Sequence, residues 1–294
     1  MLDELYPAIE AATHALSTVY LPAFDGAALR NELSRSEAFL LLAVPTFGST
    51  VSEKLLSVRN PYNAPGLYEI TLLELCNKGM LELHVEHVFC ITRKGLDTVK
   101  VLLASLYQAL AGFHPLAETE LNRLAGWLKN LSESCLSAAE PPGKWCLEHI
   151  HMLDPGVVAH PMVKIDQHLS ELGAYRDDAH LAAWQELTMS GHAWELLTLL
   201  WVEKAASLKR LNQKLAHRGY SLDQTRASLG ELSFLDCVVF SSGEEWKITE
   251  EGKTIRAAAE ERTNRLFQAA FAEFSDYELS ETLELLKQFR HAIP

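Results

Sequence analysis

Three side chains with the chemistry to hold a ligand recur at every fourth position of one segment: Arg176, His180 and Trp184. On a helix this spacing places them on one face. A cation, an imidazole that titrates near neutral pH and a flat apolar ring suit an anionic or aromatic ligand. A helix-packing seam with a buried tryptophan is the alternative, and the sequence leaves both open. The predicted pocket comprises Arg176, Asp178, His180, Trp184 and His192.

A second group of side chains has the chemistry of metal ligands. Cys146, His149, His151 and His160 lie close together beside Glu148. Zinc accepts sulfur and imidazole ligands, but the spacing C-x2-H-x-H-x8-H matches no compact zinc motif. The segment is predicted to be a loop. We therefore expect neither a metal nor another cofactor.

Nucleophilic and acid–base catalysis find little support in the sequence. It contains no G-x-S-x-G, no P-loop, no G-x-G-x-x-G and no H-E-x-x-H. The paired carboxylates Asp177–Asp178 and Glu250–Glu251 are adjacent, so they point apart on a helix. Enzyme activity is therefore the third-ranked class of function, and the prediction is that the chain is not an enzyme.

Charge and composition indicate a cytoplasmic protein without a membrane span. The net charge is −13, and the first residues, Met1 to Glu4, are acidic where a signal peptide would be basic. The longest uncharged stretch, residues 38–52, is too short to span a bilayer. The five cysteines form no C-x-x-C pair, which fits reduced thiols.

The elements that must position these residues occur twice. Each set has leucines three apart on a short helix, an alternating stretch that predicts a hairpin, and Ile-Thr-x-x-Gly before a long helix. The offset between the two sets is constant at 157 residues (229 − 72 and 248 − 91). We interpret this register as a tandem duplication. Its landmarks are Leu72, Leu75, Ile91, Thr92 and Gly95, then Leu229, Leu232, Ile248, Thr249 and Gly252.

This pattern resembles the MarR-type winged-helix regulators. The resemblance implies recognition helices at residues 65–78 and 222–235, each preceded by a helix at 51–60 or 208–219. It also implies wings at 82–88 and 239–245, with long helices near 93–112 and 250–273. Members of that family are usually homodimers, so two copies in one chain imply an internal pseudo-dimer that is monomeric.

Charge distinguishes the two predicted copies. The wings carry no arginine, and the first recognition helix carries Glu69, Glu74 and Lys78, so the first copy looks unsuited to DNA. Basic residues, among them Lys204, cluster before the second wing, where helix-turn-helix proteins often meet phosphates. Helical spacing predicts one shared face for the basic residues at 210, 214 and 218. The predicted DNA contacts are Lys209, Arg210, Lys214, Arg218, Thr225 and Arg226.

A more local resemblance links the chain to the SalK-like helix-turn-helix-related proteins. It rests on Asp178-x-His180-Leu-x-x-Trp184 and the later pair Gly191-His192, in the same order as in that family. The likeness implies no particular reaction. It does indicate that such a fold can serve purposes other than reading an operator.

Together these patterns predict a mainly α fold with two tandem winged-helix units, small β-hairpin wings and an internal pseudo-dimer. The predicted boundaries are residues 1–136 for a degenerate first unit, 137–161 for a linker and 162–294 for the second unit. The leading function is a cytoplasmic MarR-like regulator that contacts double-stranded DNA mainly through the second unit and senses a small-molecule effector. The alternative is a repurposed winged-helix protein that binds a protein or small molecule and no DNA. No membrane partner is expected.

Overall fold

The computed structural model describes residues 1–48, 50–241 and 243–294. Over these residues the chain is mainly helical, with two small antiparallel sheets. Within the same residues, no helix combines the length and the apolar character that crossing a bilayer requires. The predicted class, mainly α with two small hairpins, is confirmed at this level.

The N-terminal segment, residues 1–137, alternates helices with one short sheet. Its elements are α1 (Leu2–Arg30), α2 (Arg35–Ala43), β1 (Thr50–Val51), α3 (Glu53–Arg59), α4 (Leu67–Asn77), β2 (Leu81–Val85), β3 (Val88–Ile91), α5 (Arg93–Ala111) and α6 (Glu118–Ser137).

The C-terminal segment, residues 161–294, has the same order of helices and strands and follows a short helix. The elements from there on are α7 (Trp145–His151), α8 (Pro161–Trp184), α9 (Gly191–Glu203), β4 (Ala205–Ala206), α10 (Leu208–Lys214), α11 (Leu222–Phe234), β5 (Val238–Phe240), β6 (Trp246–Ile248), α12 (Glu250–Ala269) and α13 (Asp276–His291).

Most predicted elements are confirmed to within a few residues. The helices α4 and α11 occupy the predicted recognition-helix positions, and α5 and α12 occupy those of the long helices. The prediction of a loop around Cys146 is wrong, because α7 occupies Trp145–His151. The carboxylate of Asp178 accepts hydrogen bonds from the amides of Cys146 and Leu147 and so satisfies the first turn of that helix.

The Ile-Thr-x-x-Gly motif has the same physical cause in both segments. The hydroxyls of Thr92 and Thr249 cap α5 and α12 by accepting from the amides of Gly95 and Gly252. Each hydroxyl also donates to a carbonyl of the preceding turn. A Cβ on either glycine would lie 2.2 Å from the carbonyl oxygen of Met80 or Cys237. Only glycine therefore lets the long helix approach that turn.

In each sheet the strand that comes last in the sequence lies at the centre, in the orders β1-β3-β2 and β4-β6-β5. Leu81 pairs with Ile91 in the first hairpin, and Val238 pairs with Ile248 in the second. Gly243 lies in the turn of the second hairpin, as the sequence predicts, and the residue with left-handed backbone there is Glu244, at φ 58°. His87 holds the equivalent place in the first hairpin, at φ 61°. Ser242, in the predicted second wing, lies outside the described residues.

The chain divides into two compact units that do not follow chain order. Unit 1 comprises Met1–Val51, Leu72–Ala179 and Asn264–Pro294. Within it, α1 packs against α5 and α13, and α6 packs against α13. Long helices from both segments therefore share the core of unit 1.

Unit 2 comprises Ser52–Thr71 and His180–Thr263. It contains α3 and the start of α4 together with α9, α10, α11 and the second hairpin. Its core includes Trp194 together with Leu200 of α9, Leu211 of α10, and Leu229 and Leu232 of α11. Unit 2 is therefore built around the C-terminal helix-turn-helix and includes the turn that joins α3 to α4.

Candidate nucleic-acid interface

The helices α10 and α11 are held as a helix-turn-helix by caps and by one asparagine. Ser207 caps α10, and Ser221 caps α11 in a reciprocal capping box with Gln224. The side chain of Asn212 donates to the Tyr220 carbonyl at 3.0 Å and to the Thr225 hydroxyl at 2.9 Å. These bonds tie α10, the turn and α11 together, so α11 has a defined direction.

Thr225, predicted as a DNA contact, lies inside this motif. Its side chain is fully buried and is bonded to Asn212 and to the Nε2 atom of His192. A buried hydroxyl with these partners cannot reach a phosphate. The structure therefore corrects the sequence prediction: Thr225 supports the turn and does not face solvent.

A basic surface does exist on α10 and at the start of α11. Lys209, Arg210, Lys214 and Arg226 are all exposed. Arg210 and Lys214 both pair with Glu203, which ends α9, and Arg226 pairs with Asp223. The four cations are therefore accessible, but three of them are partly neutralised by neighbouring carboxylates. Exposed Lys204 precedes α10, and its ammonium donates to the Trp201 carbonyl.

Arg218 does not belong to that surface. The expectation that it continues the face of Arg210 and Lys214 is wrong, because α10 ends at Lys214 and Arg218 lies in a following 3-10 turn. Its guanidinium pairs with the Glu195 carboxylate, with Nη2 2.6 Å from Oε1, and both side chains are only 18% exposed. Arg218 thus forms a structural ion pair with Glu195 inside unit 2.

The exposed face of α11 has its shortest side chains at the centre of the helix, whereas Leu222 and Asp223 are exposed at its start. Gln224, Arg226, Ala227 and Gly230 all face solvent. Short side chains at the centre of a helix allow a groove wall to come close to its backbone. At the C-terminal end this character changes, because Phe234 is 87% exposed.

The corresponding helix of the N-terminal segment has a different surface. Along α4, Ile70 and Leu73 are exposed, and Glu74 is exposed beside them. Lys78, the one cation predicted there, is paired with the buried carboxylate of Glu37. An apolar and acidic surface of this kind disfavours phosphate contact, in agreement with the charge difference read from the sequence.

The second hairpin adds no positive charge at its tip. Val239 and Phe240 are exposed, and Glu244 and Glu245 follow them in the turn. Lys247 is the one basic side chain on β6, and it is exposed. Any phosphate contact by this segment therefore has to come mainly from the helices.

Two of the predicted pocket residues, Arg176 and Asp178, lie in unit 1. The guanidinium of Arg176 is buried and lies 4.4 Å from the centre of the Tyr6 ring and 6.0 Å from that of Phe267. Asp178 lies on α8 and is buried, and its carboxylate contacts the first turn of α7. Both side chains thus join elements of unit 1 to one another.

The other three pocket residues lie in unit 2. Nε2 of His180 accepts a hydrogen bond from the indole of Trp194, whose ring stacks on Trp184 at 5.5 Å. His192 stacks on Tyr220 at 3.7 Å. Burial, together with the charge of Arg218, lowers the pKa of His192 to about 4, so its ring is neutral at physiological pH. These contacts are those of a packing seam, and the ligand pocket stays a prediction.

The predicted cysteine and histidine group does not gather around one point. Cys146 is buried at the start of α7, and Nδ1 of His149 contacts the Trp145 carbonyl. His151 contacts Glu171, whereas His160 faces His114. Within residues 1–48, 50–241 and 243–294, no three side chains are arranged to hold a metal ion.

Sequence reasoning missed a buried charged cluster centred on Glu171, which is 1% exposed. Its carboxylate accepts from Ser132 and Gln167 and contacts Nδ1 of both His151 and His168. Burial alone would raise its pKa, but these hydrogen bonds together lower it to about 2. The spacings of Gln167 and His168 from Glu171, four and three residues on one helix, were the local signals for this cluster.

Residues 153–294 match the model of a helix-turn-helix family. The match spans α8 to α13, so it includes the α10–α11 motif and the second hairpin. The C-terminal segment therefore contains a helix-turn-helix domain. No curated protein and no solved structure shows a significant match to the chain.

Proposed function

We propose that the protein binds double-stranded DNA through the C-terminal helix-turn-helix and acts as a MarR-like transcriptional regulator in the cytoplasm. The observation that carries this proposal is the pairing of an exposed face on α11, with short side chains at its centre, with exposed cations on α10, inside the region similar to a helix-turn-helix family. In such motifs the second helix enters the major groove and the first crosses the backbone. In this arrangement α11 makes the base contacts, and the phosphate contacts come from α10 and from Arg226 near the start of α11.

The net charge of −13 makes this contact a local one. A phosphate approaching α10 meets Lys209, Arg210 and Lys214 within two turns of helix. It also meets Glu203, which shares its carboxylate between two of these cations. Binding then requires those cations to exchange a carboxylate for a phosphate, so affinity should be modest and should depend strongly on salt.

The proposal includes the organisation inferred from the sequence. The segments 1–136 and 162–294 are two winged-helix copies joined by residues 137–161, and the chain is a monomer that acts as an internal pseudo-dimer. The packing of α1 on α13 and of α6 on α13 in unit 1 supports it, because helices of both segments share that core. An effector site around His180 and Trp184 is a further part of the proposal.

A second candidate is a winged-helix protein that binds a protein or small molecule and no DNA. The favouring observation is the exposed apolar group at the end of α11 and on β5, namely Phe234, Val239 and Phe240. The acidic pair Glu244 and Glu245 borders this group and would repel phosphate. The two functions are separated by whether DNA is bound at all.

Charge reversal on α10 is expected to remove DNA binding. The double variant Arg210→Glu/Lys214→Glu should bind a selected DNA fragment at least ~100-fold more weakly, because a hydrogen bond to a charged group contributes about 1.5–3 kcal/mol. The matched control is Lys54→Glu/Arg59→Glu on α3 of the N-terminal segment, which should bind almost as the unmodified protein does. Fluorescence anisotropy with one labelled duplex measures both.

A third variant tests the same surface, and here we expect stronger instead of weaker DNA binding. Glu203→Gln removes the carboxylate that Arg210 and Lys214 share, so it should strengthen binding while thermal unfolding confirms that α9 and α10 remain folded. Two results would contradict the assignment of phosphate contacts to α10. One is an equal loss of DNA affinity in the α10 and α3 double variants, and the other is weaker DNA binding by a folded Glu203→Gln protein.

A further inference from the structure

The turns of the two helix-turn-helix segments are docked on each other inside unit 2. The amide of Ala64 donates to the Arg218 carbonyl at 2.8 Å, and the Tyr220 hydroxyl donates to the Asn63 carbonyl at 3.0 Å. Asn63 and Tyr220 are separated by the same 157 residues that relate the two segments (220 − 63). The contact therefore joins equivalent turns, as a two-fold interface joins the same surface of two subunits.

This junction is tightly packed and polar. Nη1 of Arg218 donates to the side-chain oxygens of Asn60 and Asn63, each at 3.2 Å, while Glu195 holds the other side of the guanidinium. A Cβ on Gly191, the first residue of α9, would lie 2.2 Å from the Pro61 carbonyl oxygen. The 60–64 turn is thus seated against α9, and its position is fixed by backbone contact.

The junction also sets how far apart the two predicted recognition helices begin. Leu67 starts α4, and a Cβ on Gly219 would lie 3.2 Å from its Cδ1 atom. Gly219 precedes Leu222, the first residue of α11, by three positions. The path from the start of α4 to the start of α11 therefore consists of one leucine side chain and three residues of chain. The two helix starts are at most roughly 20 Å apart.

That separation is too short for the two helices of one chain to enter both halves of a two-fold symmetric DNA site. Paired recognition helices normally enter major grooves one helical turn apart, about 34–36 Å, and their N-terminal residues contact the bases. Leu222, Asp223 and Gln224 at the start of α11 are exposed, whereas Leu67 and Tyr68 at the start of α4 are only partly exposed. The start of α11 can therefore enter a groove, whereas the start of α4 packs at the junction.

We infer that one chain reads a single, asymmetric DNA half-site through α11, and that the 60–67 segment of the first copy acts as a strut that fixes the turn before α11. This inference rests on the proposed DNA binding and narrows its ligand to one contiguous major-groove segment. A palindromic site would need two chains.

Spin labels at two equivalent exposed positions test the junction without DNA. The labels replace Pro65 and Leu222 (P65C and L222C), in a background where the half-exposed Cys76 and Cys90 are serine. The expected inter-label distance is below about 30 Å, with and without DNA. A distance of about 34 Å or more in either state would overturn the inference.

Footprinting with the full chain tests the half-site itself. At one protein per duplex, we expect one protected patch on each strand and a selected sequence without internal two-fold symmetry. Two protected half-sites one helical turn apart under a single chain would overturn this inference and leave DNA binding standing. Absence of any DNA binding would overturn both proposals, and the spin-label distance would still report on the junction.

Discussion

Replacing Arg218 with alanine is expected to lower the free energy of unfolding by about 2–4 kcal/mol, as removal of one partner from a largely buried ion pair does. The change would leave the Glu195 carboxylate, only 18% exposed, without its cation. It would also remove the bonds to Asn60 and Asn63. Chemical denaturation of the full chain, followed by circular dichroism, measures the effect.

Lys214→Ala is the matched control, because Lys214 lies four residues away at the end of α10 and is 44% exposed. An exposed ion pair contributes under about 1 kcal/mol, so this variant should unfold almost as the unmodified protein does. If Arg218 were instead a free DNA contact, both variants would have similarly small effects on stability. That outcome would refute the structural role of Arg218 and with it the docked turns.

Replacing Glu171 with glutamine is expected to destabilise the protein by about 3 kcal/mol near neutral pH. The pKa of Glu171 is about 2 in the folded chain, against an ordinary value of 4.5. Each unit of such a difference corresponds to about 1.4 kcal/mol. Because Glu171 is 1% exposed, solvent screens this contribution little.

The sign of the pH dependence follows from the lowered pKa. The contribution of Glu171 is fully present above pH 4.5 and is lost as the pH falls through about 2. The difference in unfolding free energy between the two proteins should therefore shrink over that window. His151 from α7 and His168 from α8 both contact the carboxylate, and the difference should be measured from neutral pH down to about pH 2.

Glu133→Gln serves as the control for this second prediction, since Glu133 is exposed and pairs with Lys129 one helical turn away. Its effect should stay below about 1 kcal/mol. Parallel stability curves for Glu171→Gln and Glu133→Gln would show that the buried cluster does not stabilise the fold through its charge.

Local patterns in the sequence predicted much of the secondary structure. Leucines three apart on α4 and α11 are buried, and the Thr-x-x-Gly motif opens both long helices where it was expected. These features depend on neighbours within a few residues, so periodicity and capping reveal them. The helix α7 was missed because its first turn is satisfied by Asp178, more than thirty residues away.

The roles of individual side chains were harder to predict because their partners are distant in sequence. Helical spacing predicted Arg218 on a basic face. Its guanidinium instead binds Glu195 and the turn of the N-terminal segment and is largely buried. Thr225 looked like a contact at the start of a recognition helix, yet Asn212 and His192 hold it in the core. Spacing shows which residues can share a face, whereas tertiary contacts decide which of them meet solvent.

The central claim, DNA contact through exposed cations of α10 and α11, is tested most directly by affinity across a salt series. Genomic fragments selected by the purified full chain supply the duplex. If Lys209, Arg210, Lys214 and Arg226 each meet a phosphate, the logarithm of the binding constant should fall with the logarithm of salt at a slope of about −4. A slope near zero, or no binding even at the lowest salt, would contradict the claim and favour a protein or small-molecule partner.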